Sequence, residues 1–295
     1  IAYCLLPQHL ASRLAGVGTY NHSESDGRKI FLPYGVTIDA VTGMTTKWPA
    51  PNITDSSSFY SFNPHATDSF GLNGGTRRIL FGWILGETTN AVDKEIVPYW
   101  DSMHSLARLL TVSGSSLVQQ PAPEIKRLRD PEKHWIFGET TVQSGTTVTL
   151  QDLSGDALEI VATFNVSIGK NNGSRFGLAL RVGGNNTAAT LVGYCPETRS
   201  MGIGALDHMS SIKLDWKADI ISQPTLDVVE LHIFLDRSVV EVFSGGAALT
   251  GRCNLPPNAD AAEARGVQLW SEGGADAQLL SLEAWAMSSM WRGGV

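Results

Sequence analysis

Hydrophobic and polar residues alternate with a period of two along much of this chain, and the alternation is clearest in Leu231 to Gly246, "LHIFLDRSVVEVFSGG". Two alternating runs flank the polar triplet Asp236-Arg237-Ser238, and a glycine pair ends the segment. This pattern predicts a β-hairpin that buries one of its faces. We expect the apolar set to lie between two sheets, and its members are Leu231, Ile233, Leu235, Val240 and Val242.

Short strand-like segments recur throughout the chain, whereas helical stripes are scarce. In the first part they are Arg28–Ile38, Arg77–Leu85 and Met103–Val112. In the second part, about eight or nine strands with glycine or asparagine turns suit two packed antiparallel sheets. Besides the hairpin, these are Thr140–Leu150, Leu158–Ser167, Arg175–Val182, Ala189–Cys195, Ser211–Trp216, Gly266–Trp270 and Leu279–Trp285. The pattern predicts an all-β chain of the propeller or sandwich kind.

A charged stretch bounded by prolines, Pro121 to Pro131, interrupts the alternation near the middle of the chain. Such a segment is typical of a linker between domains. The length of 295 residues also suits two domains. We therefore predict a first domain over residues 1–120, a linker over 121–135 and a β-sandwich over 136–295.

The composition and net charge of the chain limit the kinds of partner that we expect it to bind. The chain is 42% hydrophobic and 17% charged, as in globular proteins, and no apolar run approaches the roughly 20 residues of a membrane helix. A net charge of -7 disfavours a nucleic-acid partner, because phosphates require a basic surface. The histidines lack metal-ligand spacing, and Gly202-Ile-Gly204 lacks the third glycine of a nucleotide-binding loop, so we expect neither metal nor cofactor.

Five Asn-X-Ser/Thr sequons indicate a secreted glycoprotein. Their acceptor residues are Asn21, Asn52, Asn165, Asn172 and Asn185. The chain opens on Ile1 with no initiator methionine and no signal peptide, so we expect a processed or truncated product. Of the three cysteines, Cys195 and Cys253 fall within the predicted sandwich, so a bridge, if one exists, would join them.

Five motifs, in order, resemble glycoside hydrolase family 32, the invertase, inulinase and fructosyltransferase group. "FLDRSVVEVFSGG" resembles the hairpin near that family's C-terminus, and "TRRILFGWILGE" resembles a strand of its last propeller blade. The remaining matches are Ser102–Arg129, with Ala107 where proline is usual, Tyr194–Ser200 and Leu282–Trp291. The resemblance implies the last one or two blades of a five-bladed β-propeller, followed by a complete two-sheet β-sandwich.

The resemblance also implies retaining hydrolysis or transfer of β-fructosyl units from sucrose or fructans. That chemistry requires two carboxyl groups about 5 Å apart. The family's nucleophile motif, W-M-N-D-P-N-G, has no counterpart here, and Arg129-Asp130-Pro131 matches the R-D-P motif by coincidence. Tyr3 stands at the acid/base position, where a pKa near 10 is too high for the role.

We therefore expect this chain to be the C-terminal portion of a secreted or vacuolar β-fructofuranosidase-type glycosidase. We expect the chain to be inactive by itself, and the sequence leaves open whether the protein is an enzyme. The alternative is a catalytically dead carbohydrate-binding or structural remnant of the same family. Expected partners are a sucrose or fructan substrate and an N-terminal propeller fragment. The substrate-facing candidates are Tyr60, His65, Glu87 and Trp100, the first two standing where Asp and Tyr are usual. Other tryptophans on alternating strands are expected in the core.

Overall fold

In a computed structural model of the protein, side chains are described for residues 79–82, 84, 103–111, 118–167, 173–183, 190–204, 227–253 and 263–290, and the backbone also in the other strands named below. The strands of the first part are β1 (Ala2–Cys4), β2 (Ala15–Tyr20), β3 (Arg28–Leu32), β4 (Thr37–Ile38), β5 (Thr45–Lys47), β6 (Asn52–Ser57), β7 (Phe59–Asn63), β8 (Ile79–Leu85), β9 (Ser102–His104), β10 (Arg108–Ser113) and β11 (Ser116–Pro121).

A 3₁₀ helix, Pro123–Leu128, separates these strands from the second set. The second set comprises β12 (Arg129–Phe137), β13 (Thr140–Val142), β14 (Thr147–Ser154), β15 (Ala157–Asn165), β16 (Arg175–Val182), β17 (Thr190–Cys195), β18 (Ser200–Asp207), β19 (Ser211–Asp219), β20 (Val228–Asp236), β21 (Val239–Ser244), β22 (Ala247–Arg252), β23 (Gly266–Glu272) and β24 (Ala277–Met287). The all-β prediction is confirmed. Among the described residues, no helix is long and apolar enough to span a bilayer.

Two sheets built mainly from the second set pack face to face. The first sheet has the order β1-β2-β3-β6-β22-β21-β20-β15-β24-β12, with β13 also paired to β24. The second has the order β14-β23-β16-β17-β18-β19. A third sheet, β11-β10-β8-β7 with β9 on β8, belongs to the first part of the chain, and β4 pairs with β5.

The core lies between the first and second sheets, because each contributes alternate apolar residues to one buried cluster. Members from the first sheet include Ile160, Phe164, Leu231 and Ile233. Members from the second include Phe176, Leu178, Leu180, Val192 and Leu269. Burial of this apolar surface, at roughly 25 cal/mol per Å², is the main source of stability for such a sandwich. The two-sheet sandwich prediction is therefore confirmed.

The hairpin predicted from Leu231 to Gly246 is formed by β20 and β21. All five apolar positions are at most 2% exposed and lie in the core, as predicted: Leu231, Ile233, Leu235, Val240 and Val242. Arg237 and Ser238 make the turn, with Arg237 at φ 50°, and Asp236 ends β20 in register with Val239. At the other end, Gly245 and Gly246 both have positive φ, the geometry that a two-residue turn between twisted strands requires.

Replacing Ile233 by Ala is expected to lower the free energy of unfolding by about 2–5 kcal/mol, through lost burial and the cavity left behind. Ile233 has no solvent exposure and lies between its strand partners Ile160 and Val242. Urea unfolding monitored by tryptophan fluorescence measures the change. Ile136 is 73% exposed and provides the matched control, since Ile136→Ala removes the same atoms from solvent. Equal losses at the two positions would contradict the core assignment.

The two sandwich cysteines are both buried and both free. Cys253 lies in the core cluster, whereas Tyr194, the neighbour of Cys195, occupies the core-facing position of β17. The disulfide considered from the sequence is therefore not formed. Trp270 and Trp285 are both buried, but neither lies in the main core cluster. Trp270 packs with Ala179, Val182 and Leu191, as expected for an apolar cluster, whereas Trp285 contacts Arg129 and His134.

Candidate functional site at the junction of the closing segment and the sandwich

The first sheet has a second face, directed away from the core, which we call the outer face. Cross-strand partners share a face, so the ladder defines it as rows of residues. One row contains His134, Trp285, Glu159, Phe234, Glu241 and Thr250. The next row contains Ile136, Glu283, Val161, His232, Phe243 and Ala248. Carboxylates and histidines are therefore mixed with aromatic residues on one surface.

Residues 102–128, here called the closing segment, cover the part of the outer face formed by β20, β21 and β22. Ala122 and Ile125 of this segment pack against Phe234, Phe243 and Ala248. Leu106, Ala107 and Met287 add partly buried contacts. A backbone hydrogen bond from the Gln119 N–H to the Gly246 carbonyl oxygen, 2.8 Å long, joins β11 to the hairpin turn. The closing segment thus attaches to the sandwich through apolar packing and a main-chain bridge.

A buried ion pair lies at the centre of this contact. The Arg108 guanidinium donates from Nε (3.1 Å) and Nη2 (2.6 Å) to Glu241 Oε2, and the two side chains are 0% and 3% exposed. Glu241 Oε1 accepts the Leu106 backbone N–H at 2.6 Å. Arg108 also donates to Gln119 Oε1 (3.0 Å) and Thr250 Oγ1 (2.6 Å). Such multiple charge-assisted bonds are what a buried charge pair needs to offset its desolvation.

A second charged group lies on the same face, where the chain enters β12. Arg129 donates from Nε (2.8 Å) and Nη2 (2.7 Å) to the two carboxylate oxygens of Glu159. The His232 ring nitrogen Nε2 lies 2.8 Å from Glu159 Oε1. The Arg129 guanidinium carbon lies 3.4 Å from the centroid of the Trp285 ring, on which the His134 ring also stacks at 4.9 Å. Arg129 thus fixes the start of β12 to both β15 and β24.

The environment of Glu159 decides its charge. Burial by itself raises the pKa of this carboxyl, but hydrogen bonds from Arg129 and His232, together with their charges, outweigh burial and lower the pKa to about 2. Glu159 is therefore ionised at neutral and at mildly acidic pH. A carboxylate that stays ionised cannot donate a proton in catalysis, so we assign Glu159 to holding Arg129 at the start of β12.

The sequence-predicted substrate residues lie where the structure gives no side chains. Tyr3 is in β1, paired with Gly16, and Tyr60 is in β7, but only their backbone is described. His65, Glu87 and Trp100 lie outside the described residues. The roles of these candidates therefore remain predictions.

Among the predicted glycosylation sites, the structure describes the side chain of Asn165. Asn52 begins β6, where only the backbone is described, and Asn21, Asn172 and Asn185 lie outside the described residues. Asn165 is the last residue of β15 rather than part of a loop. In the described part of the chain, no three His, Cys, Asp or Glu side chains are grouped so as to hold a metal ion.

Sequence reasoning missed the residues that join the closing segment to the sandwich. Glu241 lies in the quoted "VVEVF" strand, and Arg129 lies in the R-D-P triplet, yet neither had been assigned a role. Glu241 stands between two valines on an alternating strand, and this position could have indicated a buried ion pair, because a buried charge needs a partner. The partner of Glu241 is 133 residues away at Arg108, so no local pattern could identify it.

This arrangement defines a class of protein: a two-sheet β-sandwich bound through a buried ion pair to β-strands that precede it in the chain. Residues 124–286, more than half of the chain, match the family model described as "Glycosyl hydrolases family 32 C terminal". The chain therefore belongs to glycoside hydrolase family 32, as the motifs had predicted.

Relatives agree with this assignment. Levanase of Bacillus subtilis (strain 168) is 29% identical over 225 residues, which cover 73% of this chain and 31% of levanase. The extracellular exo-inulinase of Aspergillus awamori is 30% identical over 203 residues, which cover 65% of this chain and 36% of that protein. The chain thus spans about a third of the length of these relatives.

Solved structures show the same fold. Fructan 1-exohydrolase IIa from Cichorium intybus superposes with a TM-score of 0.66 at 15% identity, covering 94% of this chain and 57% of that one. The exo-inulinase from Aspergillus awamori gives 0.62 at 19% identity, covering 98% and 56%. Structures of this family combine a propeller with a β-sandwich, which confirms the fold class predicted from the sequence.

Proposed function

We propose that this chain is the C-terminal portion of a secreted β-fructofuranosidase-type glycosidase, acting on sucrose or fructans, and that its sandwich holds the last propeller strands in place. The buried Arg108–Glu241 pair carries this proposal, because it ties the closing segment to the sandwich at a site without solvent. Relatives named levanase and exo-inulinase support a fructan substrate class, and one named sucrose-6-phosphate hydrolase supports a sucrose-type substrate.

We further propose that the domain boundary falls within residues 121–135, as predicted. The 3₁₀ helix Pro123–Leu128 completes the closing segment, and β12 then joins the edge of the first sheet beside β24. This proposed linker contacts the sandwich at two points. Ile125 packs against Phe234 and Phe243 of the hairpin, and Arg129 donates hydrogen bonds to Glu159. We therefore propose that the linker holds the two domains in a fixed relative position.

Secretion belongs to the same proposal. Five sequons and a relative named "extracellular exo-inulinase" support an extracellular or vacuolar location. The five sequon residues, Asn21, Asn52, Asn165, Asn172 and Asn185, are proposed as acceptors of N-linked glycans.

These 295 residues alone are expected to release no fructose from sucrose or inulin. Retaining hydrolysis needs a nucleophilic carboxylate and a proton donor on one anomeric carbon, and losing either removes most of the rate. The nucleophile motif is absent from the sequence, and Tyr3 replaces the donor. The assay is the mass-verified chain at high concentration with each sugar, scored for released fructose, with the Aspergillus awamori exo-inulinase as the positive control. Turnover by the chain alone would overturn this proposal.

A second experiment separates a working enzyme portion from a catalytically dead remnant. Peptides from the native protein, purified with everything that co-purifies, are sequenced by mass spectrometry. We expect a peptide containing W-M-N-D-P-N-G, on the same polypeptide or on a partner fragment. If no such peptide accompanies residues 1–295, the remnant alternative, a carbohydrate-binding or structural protein, replaces the enzyme proposal.

A further inference from the structure

Strand β12 forms one end of the first sheet. It pairs with β24 along one edge, and among the strands that the structure describes none lies along its other edge. β13 continues the same edge, because Phe137 and Thr140 pair with β24 in one continuous register. This stretch, from His134 to Val142, is here called the edge strand. Such an edge presents a row of backbone N–H and C=O groups with which another strand can pair.

Apolar side chains stand along the edge strand on both faces of the sheet. Ile136, on the outer face, is 73% exposed. Its neighbours Trp135 and Phe137 pack against the core from the other face but are partly buried rather than enclosed. A methyl group placed on Gly138 would meet no atom within 4 Å, so there is room beside it for a side chain from a facing strand. A second strand along this edge would therefore bury apolar surface on both faces.

Two opposite charges flank these apolar residues at equal distances along the sequence. Lys133 lies three residues before Ile136 and Glu139 lies three residues after it, and both are exposed. A lysine at a sheet edge ordinarily discourages pairing with another chain. In an antiparallel pair of identical strands centred on Ile136, however, Lys133 of each copy stands opposite Glu139 of the other. The segment is therefore complementary in charge to itself.

Neighbouring registers of a symmetric pair fit less well. Symmetric antiparallel strands must be centred on a residue, because opposite positions have to direct their N–H and C=O groups in the same way. Centring on Trp135 sets Lys133 opposite Phe137. Centring on Phe137 sets Glu139 opposite Trp135. Of these three registers, the one centred on Ile136 alone joins opposite charges and sets apolar side chains against each other.

We propose that a second copy of this chain binds antiparallel along the edge strand, through residues 133–139, so that the first sheets of two copies join into one continuous sheet. The two Ile136 side chains contact each other, and a Lys133–Glu139 ion pair forms at either end. A foreign strand without a carboxylate opposite Lys133 leaves that charge unpaired, which makes the edge selective for a second copy. The interface is small, so we expect a dissociation constant on the order of 10 µM. In dilute solution the chain is a monomer with Ile136 in solvent.

The test is sedimentation velocity of the full 295-residue chain over about 1 to 200 µM. Lys133→Glu and Glu139→Lys each set like charges opposite each other at both ends of the interface, so each is expected to raise the dissociation constant at least about tenfold. In an equimolar mixture of these two variants, each chain brings two like charges that face two opposite charges of the other, so association should return. Lys126→Glu makes the same charge change at an exposed position in the 3₁₀ helix and serves as the control.

We expect the parent chain and Lys126→Glu to form dimers as the concentration rises, and the mixture to associate within about threefold of the parent. A parent chain that stays monomeric up to about 200 µM overturns the proposal, since a different partner would then have to occupy the edge. A single variant that dimerises as well as the parent, or a mixture that associates no better than its components, overturns it too. Circular dichroism shows whether each variant is folded, and no change is expected because the substituted positions are exposed.

Discussion

Replacing Glu241 by Ala is expected to lower the free energy of unfolding by about 3–5 kcal/mol, because it leaves the buried Arg108 guanidinium without its carboxylate. Arg108 has no solvent exposure, so water cannot replace the lost partner. The Leu106 N–H loses its acceptor at the same time. Urea unfolding at pH 7, followed by tryptophan fluorescence, measures the change.

The matched control is Glu272→Ala, which breaks an ion pair of the same chemistry near the surface. Arg175 and Glu272 lie 3.4 Å apart with side chains 40% and 27% exposed. Exposed pairs of this type contribute about 0–1 kcal/mol. If both substitutions cost the same, the Arg108–Glu241 pair does not hold the closing segment in the way we propose.

A double variant, Arg108→Met with Glu241→Leu, separates the cost of an unpaired charge from the value of the pair. Apolar residues of similar volume often replace a buried ion pair with little loss of stability. We expect the double variant to be more stable than Glu241→Ala. The Gln119 and Thr250 groups that Arg108 contacts would remain, so some loss relative to the parent protein is expected.

The sandwich was predictable from sequence wherever one face of a strand is polar. β20 alternates over its whole length, with Leu231 and Ile233 in the core and Glu230 in solvent, so the period-two pattern gives both its existence and its orientation. β22, "AALTGR", was not predicted, because its sequence does not alternate and its residues are buried throughout. β17 and β21 are also buried throughout, but the apolar run of β17 and the alternating valines of β21 made both visible in the sequence.

Turns within a predicted strand were harder to place. Thr140–Leu150 was expected to be one strand, but it forms β13 and β14, because the chain turns at Gly145 with φ 78°. The Thr146 N–H donates to the Gln143 carbonyl oxygen at 3.0 Å, which closes the turn. A single glycine among threonines is a weak turn signal without knowledge of the two strands that it separates.

The contacts between the closing segment and the sandwich were less predictable than the fold. The charged residues that form these contacts can be read from the sequence, but their partners lie far along the chain: Glu159 bonds Arg129 across 30 residues and His232 across 73. Pairing at such separations is set by strand order, which local patterns do not give. The family resemblance placed the closing segment and the hairpin in order, but the contact between them required the structure.

Replacing Arg129 by Met is expected to lower the free energy of unfolding by about 3–5 kcal/mol at pH 7, because the buried Glu159 carboxylate loses the guanidinium that bonds both of its oxygens and keeps the contact with His232. The loss should depend on pH in a defined direction. Glu159 has a pKa of about 2 in the folded protein, against 4.5 for an unperturbed glutamate. A depressed pKa contributes stability above pH 4.5 that disappears as the pH falls towards 2, and the shift corresponds to roughly 3 kcal/mol.

The parent protein and Arg129→Met are therefore compared by urea unfolding at pH 7, 5, 4 and 3, and the difference between them is the quantity of interest. Other carboxylates titrate in both proteins and cancel in that difference. The unfolded parent binds a proton at this glutamate near pH 4.5, whereas the folded parent keeps it ionised down to about pH 2, so the stabilisation that Arg129 provides, and with it the difference, is expected to shrink as the pH falls. Glu283→Gln, which removes an exposed carboxylate 2.8 Å from His134, serves as the control and should show a much smaller cost at pH 7. A difference that stays constant from pH 7 to pH 3 would show that Arg129 acts through its packing on Trp285 rather than through Glu159.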